Sequence, residues 1–211
     1  MGKLGLGCVV LVVIIAIILG ISMMGTYNRL VGLSQGVDTQ WAQVENVYQR
    51  RADLIPNLVA TVRGAADFEK STLEAVVQAR ASVGRANISP GAAPTDPEAM
   101  ARFEAAQGSL GAALQRLLVV VERYPDLKAN ANFQQLQAQL EGTENRITVE
   151  RMRYNEVAQA YNTARLRFPT NLFASMFGFK EKAYFKATTP GAERAPDVNF
   201  DFRNPAPATT P

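Results

Sequence analysis

The sequence contains no histidine, and its single cysteine, Cys8, lies near its beginning. These two absences exclude much familiar catalytic machinery. Ser-His-Asp and Cys-His nucleophile systems, the helical metalloprotease motif, His-ligated di-iron bundles and thiolate zinc sites all need side chains that are missing. A thiol redox pair is excluded by the same count. Any chemistry would have to run on carboxylates, Lys, Ser, Thr or Tyr, and no metal or cofactor is expected. Charge is sparse too: 19% of the 211 residues are charged, with a formal net charge of +3. The Lys and Arg residues are dispersed, so nucleic acid is not an expected partner. No motif identifies a small-molecule substrate.

What is present is apolar and helical. From Leu4 to Gly25 there is no charge, and Val9 to Leu19 is almost unbroken Val, Ile and Leu. About 20 apolar residues at 1.5 Å of rise cross a hydrocarbon core, so this stretch reads as a transmembrane helix. A cleaved signal peptide would end its apolar run in an A-x-A-like pattern, which Gly20-Ile21-Ser22-Met23-Met24 does not provide. A lipoprotein would carry its cysteine after the run, whereas Cys8 precedes most of it. Cys8 is therefore read as lipid-facing, with acylation the lesser alternative. Lys3 on one side and Arg29 on the other are too few to set the orientation.

Beyond Gly25 the period is helical. Leu30, Leu33, Val37, Trp41, Val44 and Val47 form one apolar stripe, with Gly25, Gly32 and Gly36 as points where it could bend. Asp53 and Pro56 suggest a kink or restart, followed by a second stripe through Leu58, Val62, Ala66, Leu73, Val76 and Val83. After the loop from Asn87 to Pro94, Asp96 reads as an N-cap with Pro97 in the first turn. Met100, Phe103, Leu110, Leu114, Leu117 and Val121 carry a third helix, which Tyr124-Pro125-Asp126 breaks. A fourth and longest helix runs from about Asn132 to Phe168, with Phe133, Leu136, Leu140, Ile147, Tyr154, Ala158 and Tyr161 near heptad spacing. Short loops between long helices predict an all-α fold: an N-terminal transmembrane helix, then an antiparallel up-and-down bundle. The expected division is 1–3 as a short tail, 4–25 as the span, 26–187 as the bundle domain, and 188–211 as a Pro/Ala/Thr-rich, partly disordered tail. Val198, Phe200 and Phe202 could clip that tail to the bundle.

Three groups could carry function. Arg50, Arg51, Asp53 and Asn57 on the first helix face Glu141, Glu144, Asn145 and Arg146 on the fourth, and interrupt otherwise apolar stripes. They are read as a structural polar network that fixes register, with a carboxylate catalytic site using Glu141 or Glu144 as the alternative. Tyr154-Asn155 and Tyr161-Asn162 lie seven residues apart and face one side, which favours core packing over a ligand box. Finally, Phe173, Phe177, Phe179, Lys180, Lys182 and Lys186 follow Thr170, a possible helix cap. Packing against one end of the bundle is the leading reading, with an interfacial membrane helix as the rival. The leading function is a membrane-anchored scaffold or interaction module, with a lipid-binding or stress-sensing module using the Phe-rich segment 172–179 as a further alternative.

At several blocks the sequence resembles the LemA family: Tyr27-Asn28-Arg29-Leu30-Val31, Trp41-Ala42-Gln43-Val44-Glu45, and Gln49-Arg50-Arg51-Ala52-Asp53-Leu54-Ile55-Pro56-Asn57-Leu58-Val59. The strongest block runs from Tyr124-Pro125-Asp126-Leu127-Lys128-Ala129-Asn130 through Leu140-Glu141-Gly142-Thr143-Glu144-Asn145-Arg146-Ile147. Arg153-Tyr154-Asn155, Tyr161-Asn162, Phe168-Pro169 and the closing Pro196-Asp197-Val198-Asn199-Phe200 complete it, while Glu150 departs from the small residue expected there. The resemblance implies a bacterial membrane protein with one N-terminal span and a soluble helical domain, and brings no activity or cofactor. It implies the short N-terminus outside and the domain inside, which these residues do not decide. Family kinship with magnetosome membrane proteins implies organisation of membranes or assemblies. The expected partners are the bilayer and, through the bundle surface, other membrane proteins or further copies of the chain.

Overall fold

The computed structural model describes residues 2–64, 68–86 and 91–186, and within 2–20 the side chains of 11, 13–18 and 20 only. Among the described residues there are helices and no strands. α1 spans Gly2–Arg63, α2 Lys70–Arg85, α3 Pro97–Val121, α4 Pro125–Lys128, α5 Ala131–Leu166 and α6 Thr170–Met176.

α1 is a single helix of 62 residues. At 1.5 Å per residue it extends about 93 Å. It runs unbroken through Gly25, Gly32 and Gly36, so the apolar run and the first bundle helix are one rod. The restart expected at Pro56 does not occur, since α1 continues through it to Arg63. Proline removes the N–H that would bond the carbonyl four residues back. That carbonyl, on Ala52, accepts instead from Arg80 Nε of α2 at 3.0 Å. The second stripe is accordingly divided: Leu58 and Val62 belong to α1, which stops at Gly64, while Leu73, Val76 and Val83 belong to α2. Ala66 lies outside the described residues, as do the tail from Thr188 and its Val198, Phe200 and Phe202.

The remaining helix ends follow from local chemistry. Asp96 caps α3, accepting from the backbone N–H groups of Glu98 at 2.9 Å and Ala99 at 3.2 Å. Asn130 caps α5 by accepting from Asn132 N at 2.9 Å and Phe133 N at 3.3 Å. Thr170 is the first residue of α6 rather than its cap. Pro169 takes the cap position after a cis Phe168-Pro169 bond, with no side-chain hydrogen bond.

α1 and α5 form the principal pair and run antiparallel, as the contacts Trp41–Tyr154 and Arg51–Glu144 require. α2 and α3 pack together and close the bundle. Its interior is divided into two apolar clusters. One holds Leu30, Val37, Trp41, Val44 and Tyr48 with Phe103, Ile147, Tyr154 and Tyr161. The other holds Ile55, Leu58, Val62, Leu73, Val76, Leu110, Leu117, Phe133 and Leu140. The division falls at the same height on three helices: between Tyr48 and Ile55, Phe103 and Leu110, and Ile147 and Leu140. The first cluster lies nearer the apolar run.

Candidate functional site

A polar layer fills the gap between the clusters. Arg51 is 3% exposed. Its Nη1 donates to Glu144 at 2.8 Å, and its Nη2 donates to the Gln107 backbone carbonyl at 3.3 Å and to the Gln107 side-chain oxygen. The guanidinium also lies 5.2 Å from the Tyr48 ring centroid. One side chain thereby joins α1, α3 and α5. Of the eight residues expected to form a network, the structure brings together Arg51 and Glu144. Asp53 accepts from Gln49 at 2.7 Å, and Glu141 accepts from Gln137 at 3.0 Å, each within its own helix. Arg50, Asn57, Asn145 and Arg146 are exposed. Gln107, which completes the node, was not singled out; the interruption of the α3 stripe between Phe103 and Leu110 was the available signal.

The more elaborate construction is an extended strap, residues 179–186, laid along α5. Tyr161 donates to the Lys180 carbonyl at 2.8 Å. Asn162 donates to the Lys182 carbonyl at 2.9 Å and accepts from the Lys182 N–H at 3.0 Å. One heptad back on α5 the pattern repeats. Tyr154 donates to the Ala183 carbonyl at 2.9 Å, while Asn155 donates to the Phe185 carbonyl at 3.0 Å and accepts from its N–H at 2.9 Å. Each strap partner has advanced three residues while α5 has receded by seven. Seven helical residues rise about 10.5 Å and three extended residues cover about 10 Å, so the two backbones are commensurate. Each asparagine amide supplies the paired donor and acceptor that a neighbouring β-strand would supply.

Both ends and the far side of the strap are also held. Arg165 Nε donates to the Phe179 carbonyl at 2.9 Å, and Arg151 donates to the Lys186 carbonyl at 2.9 Å. Glu104 of α3 accepts from Arg151 at 2.7 Å and from the Lys186 N–H at 3.2 Å. The Ala183 N–H donates to the Pro94 carbonyl at 2.9 Å. Lys182, 7% exposed, donates to Asp38 at 2.7 Å, and that carboxylate also accepts from the Ala93 N–H at 3.0 Å. Phe185 enters an aromatic group with Trp41, Tyr154 and Phe103, at centroid distances of 5.9, 5.4 and 6.5 Å.

The six candidates for a membrane interface therefore divide. Phe179 packs against the core, Phe173 is half-buried, and Phe177 is exposed with its ring 5.1 Å from Tyr27. Lys180 and Lys186 are exposed, but Lys182 is buried in its ion pair and does not belong to a row of headgroup-facing lysines. The rings of the Tyr-Asn pairs enter the core, as their spacing predicts, while their polar atoms hold the strap. The signal was present as an asparagine following each tyrosine at heptad spacing. Asp38, Glu104 and Arg151 had no comparable signal. Glu150, the departure from the family pattern, accepts from Gln40 at 2.6 Å and Arg153 at 2.8 Å, and so contributes an α1–α5 contact.

Burial dominates the electrostatics. It raises the Glu104 carboxyl above its ordinary range despite the neighbouring Arg151 cation. It raises the Tyr48 phenol against the opposing effect of Arg151 and Arg51, and raises Tyr154 and Tyr161 as well. These three phenols hold their protons more tightly folded than unfolded, where the value is 10.0. Their contribution to stability is complete below that value and is lost as pH rises through the higher folded values. In an alkaline titration, phenolate absorbance from these residues is expected only together with loss of helical circular dichroism. Ionisation of all six tyrosines while the helices persist would contradict this placement.

The sequence profile of the LemA family matches residues 40–200, which take in the polar layer, the Tyr-Asn pairs and the strap. The chain is 26% identical to magnetosome protein MamQ 2 of Paramagnetospirillum magneticum strain AMB-1, over 90% of this chain and 76% of that protein. It is 27% identical to magnetosome protein MamQ of Magnetospirillum gryphiswaldense, with the same coverage. Protein LemA of Metamycoplasma hominis is 23% identical over 85% of this chain and 77% of its own length. The profile spans most of the bundle and the segment laid along it, and on that extent of match the chain belongs to the LemA family.

Proposed function

We propose that this membrane-associated helical protein is a single-pass scaffold, which projects its bundle from the bilayer and acts by binding other copies of itself or other membrane proteins. The observation that carries the reading is the continuity of α1. Among its described residues, an 18-residue stretch of mean hydropathy 1.6 has 6% of its residues buried inside the protein, unlike the core helix of a soluble domain. Leu11, Ile14, Ile18 and Ile21 are all exposed, and lipid is the solvent that suits them. No break separates that stretch from Trp41 and Arg51, so the anchor passes directly into the bundle. Such a direct projection suits an assembly element, and confinement to a plane raises effective concentration for sideways contacts. The names of the magnetosome relatives are in keeping with a role at a membrane compartment.

A catalytic reading through Glu141 and Glu144 has weaker support. Glu144 is committed to Arg51, and Glu141 lies exposed beside Gln137, so the two carboxyls do not converge on a reacting position.

Photo-crosslinkers placed at the exposed Val119, Val149 and Met152 in cells test the scaffold reading. Adducts of the chain with itself or with one recurrent membrane protein are expected. Absence of adducts at all three positions, together with a strict monomer in lipid nanodiscs, would remove the proposal.

A further inference from the structure

The uncharged run from Leu4 to Gly25 has 22 residues, which rise about 33 Å and fill the hydrocarbon core. Tyr27 therefore lies at headgroup level. Its ring is 5.1 Å from Phe177 and 5.7 Å from Phe179. α5 descends antiparallel to α1 and ends at Leu166, and α6 packs on both helices at the level of Tyr27. Met23 and Thr26, which share a face of α1 with Tyr27 and Leu30, are half-buried. α6 thus sits at the boundary where the apolar run emerges.

Two further properties identify the occupant of its outer face. First, that face carries large apolar side chains, with the small polar Asn171 and Ser175 beside them. Leu172 and Met176 lie one turn apart and are 60% and 62% exposed, while Phe168 is 80% exposed and Leu166 stands beside it at the end of α5. Ala174, on the opposite side of α6, is buried. Second, the charge is mostly of one sign. No Asp or Glu occurs between residues 2 and 37, or between 163 and 180, and Arg29, Arg167 and Lys180 are exposed there; the exposed Glu181 that follows lies 3.8 Å from Arg165. Exposed apolar side chains ringed by cations, continuous with a spanning helix, match the boundary between acyl chains and anionic headgroups.

We propose that the tip formed by Leu166, Phe168, Leu172, Met176 and Phe177 inserts into the bilayer interface, with Arg29, Arg167 and Lys180 on anionic headgroups. The tip then fixes the rotation of the bundle about α1, which a single span leaves free. This inference rests on the membrane-anchored reading.

The test uses the full chain with Cys8→Ser, carrying a nitroxide on a single cysteine at Ile17→Cys, Leu172→Cys, Met176→Cys or Val119→Cys. The protein is reconstituted in vesicles of phosphatidylcholine with phosphatidylglycerol. Collision rates are compared for oxygen, which partitions into lipid, and for a water-soluble nickel chelate. The oxygen-to-nickel ratio at Leu172 and Met176 is expected to lie several-fold above that at Val119 and below that at Ile17. Ratios at the tip equal to that at Val119, with Ile17 in lipid, would overturn the inference and leave the anchor standing. A water-like ratio at Ile17 would remove the anchor and the inference together. Tip labels shielded from both reagents would mean that protein, a second copy included, covers α6, and would overturn lipid as the occupant.

Discussion

Replacing Asn162 with leucine is expected to destabilise the folded chain by about 2–5 kcal/mol, because two buried backbone groups lose their partner at once. Leucine is close to asparagine in size, so the loss is chiefly one of hydrogen bonding. Lys182 N–H and C=O both meet the Asn162 amide, at 3.0 and 2.9 Å. Leucine leaves that donor and that acceptor away from water. Asn162→Asp separates the two bonds: the carboxylate still accepts from the N–H, but it confronts the Lys182 carbonyl with another acceptor. Asn155→Leu is expected to cost less, since its bonds to Phe185 are only partly buried. Denaturant unfolding of the whole chain in detergent reads the energies, and the rate of tryptic cleavage after Lys182 reads local release of the strap. A stability change no larger than that of an exposed substitution, with unchanged cleavage, would show that the strap does not depend on this amide.

This dependence shows where sequence reasoning runs out. Periodicity reports which face of a helix is buried, so the stripes through Trp41, Phe103 and Tyr154 pointed to helices that the structure contains, and the caps at Asp96 and the proline at 97 marked a true end. Pro56 was misleading because a local rule was overridden from a distance: Arg80, on another helix, satisfies the carbonyl that proline orphans. The strap was illegible for a related reason. It has no period of its own, and its partners are side chains whose use depends on antiparallel placement along α5. Lys182 and Asp38 are separated by 144 positions, and nothing near either one announces the other. On sequence alone Lys182 therefore groups with Lys180 and Lys186. The seven-residue repeat of Tyr-Asn was visible, but its meaning required the coincidence between a helical heptad and three extended residues.

The polar layer addresses a different problem, the uniqueness of the α1–α5 pairing. Apolar positions near heptad spacing would tolerate a slip of one heptad with much of the seam intact, so something must distinguish the registers. Arg51 does so by meeting Glu144 and Gln107 at one height only. Glu144→Ala is expected to cost about 1.5–3 kcal/mol, since it leaves a buried guanidinium with Gln107 as its remaining anchor. Arg51→Ala is expected to cost more, about 3–5 kcal/mol, through the lost packing on Tyr48 and the unpartnered Gln107 side-chain oxygen. The double variant should be hardly worse than Arg51→Ala alone. The Glu144 side chain is 58% exposed and rehydrates once its partner is gone, whereas Arg51 at 4% does not. Arg51→Met, which keeps volume and discards charge, should fall between wild type and Arg51→Ala. Unfolding of the four variants and the parent completes the cycle. Strict additivity of the two alanine substitutions would deny the coupling. An Arg51→Met protein as unstable as Arg51→Ala would assign the cost to the lost hydrogen bonds rather than to packing. If register is what the layer secures, nitroxide distances between α1 and α5 in Arg51→Met should broaden toward a second value displaced by one heptad, about 10 Å along the axis.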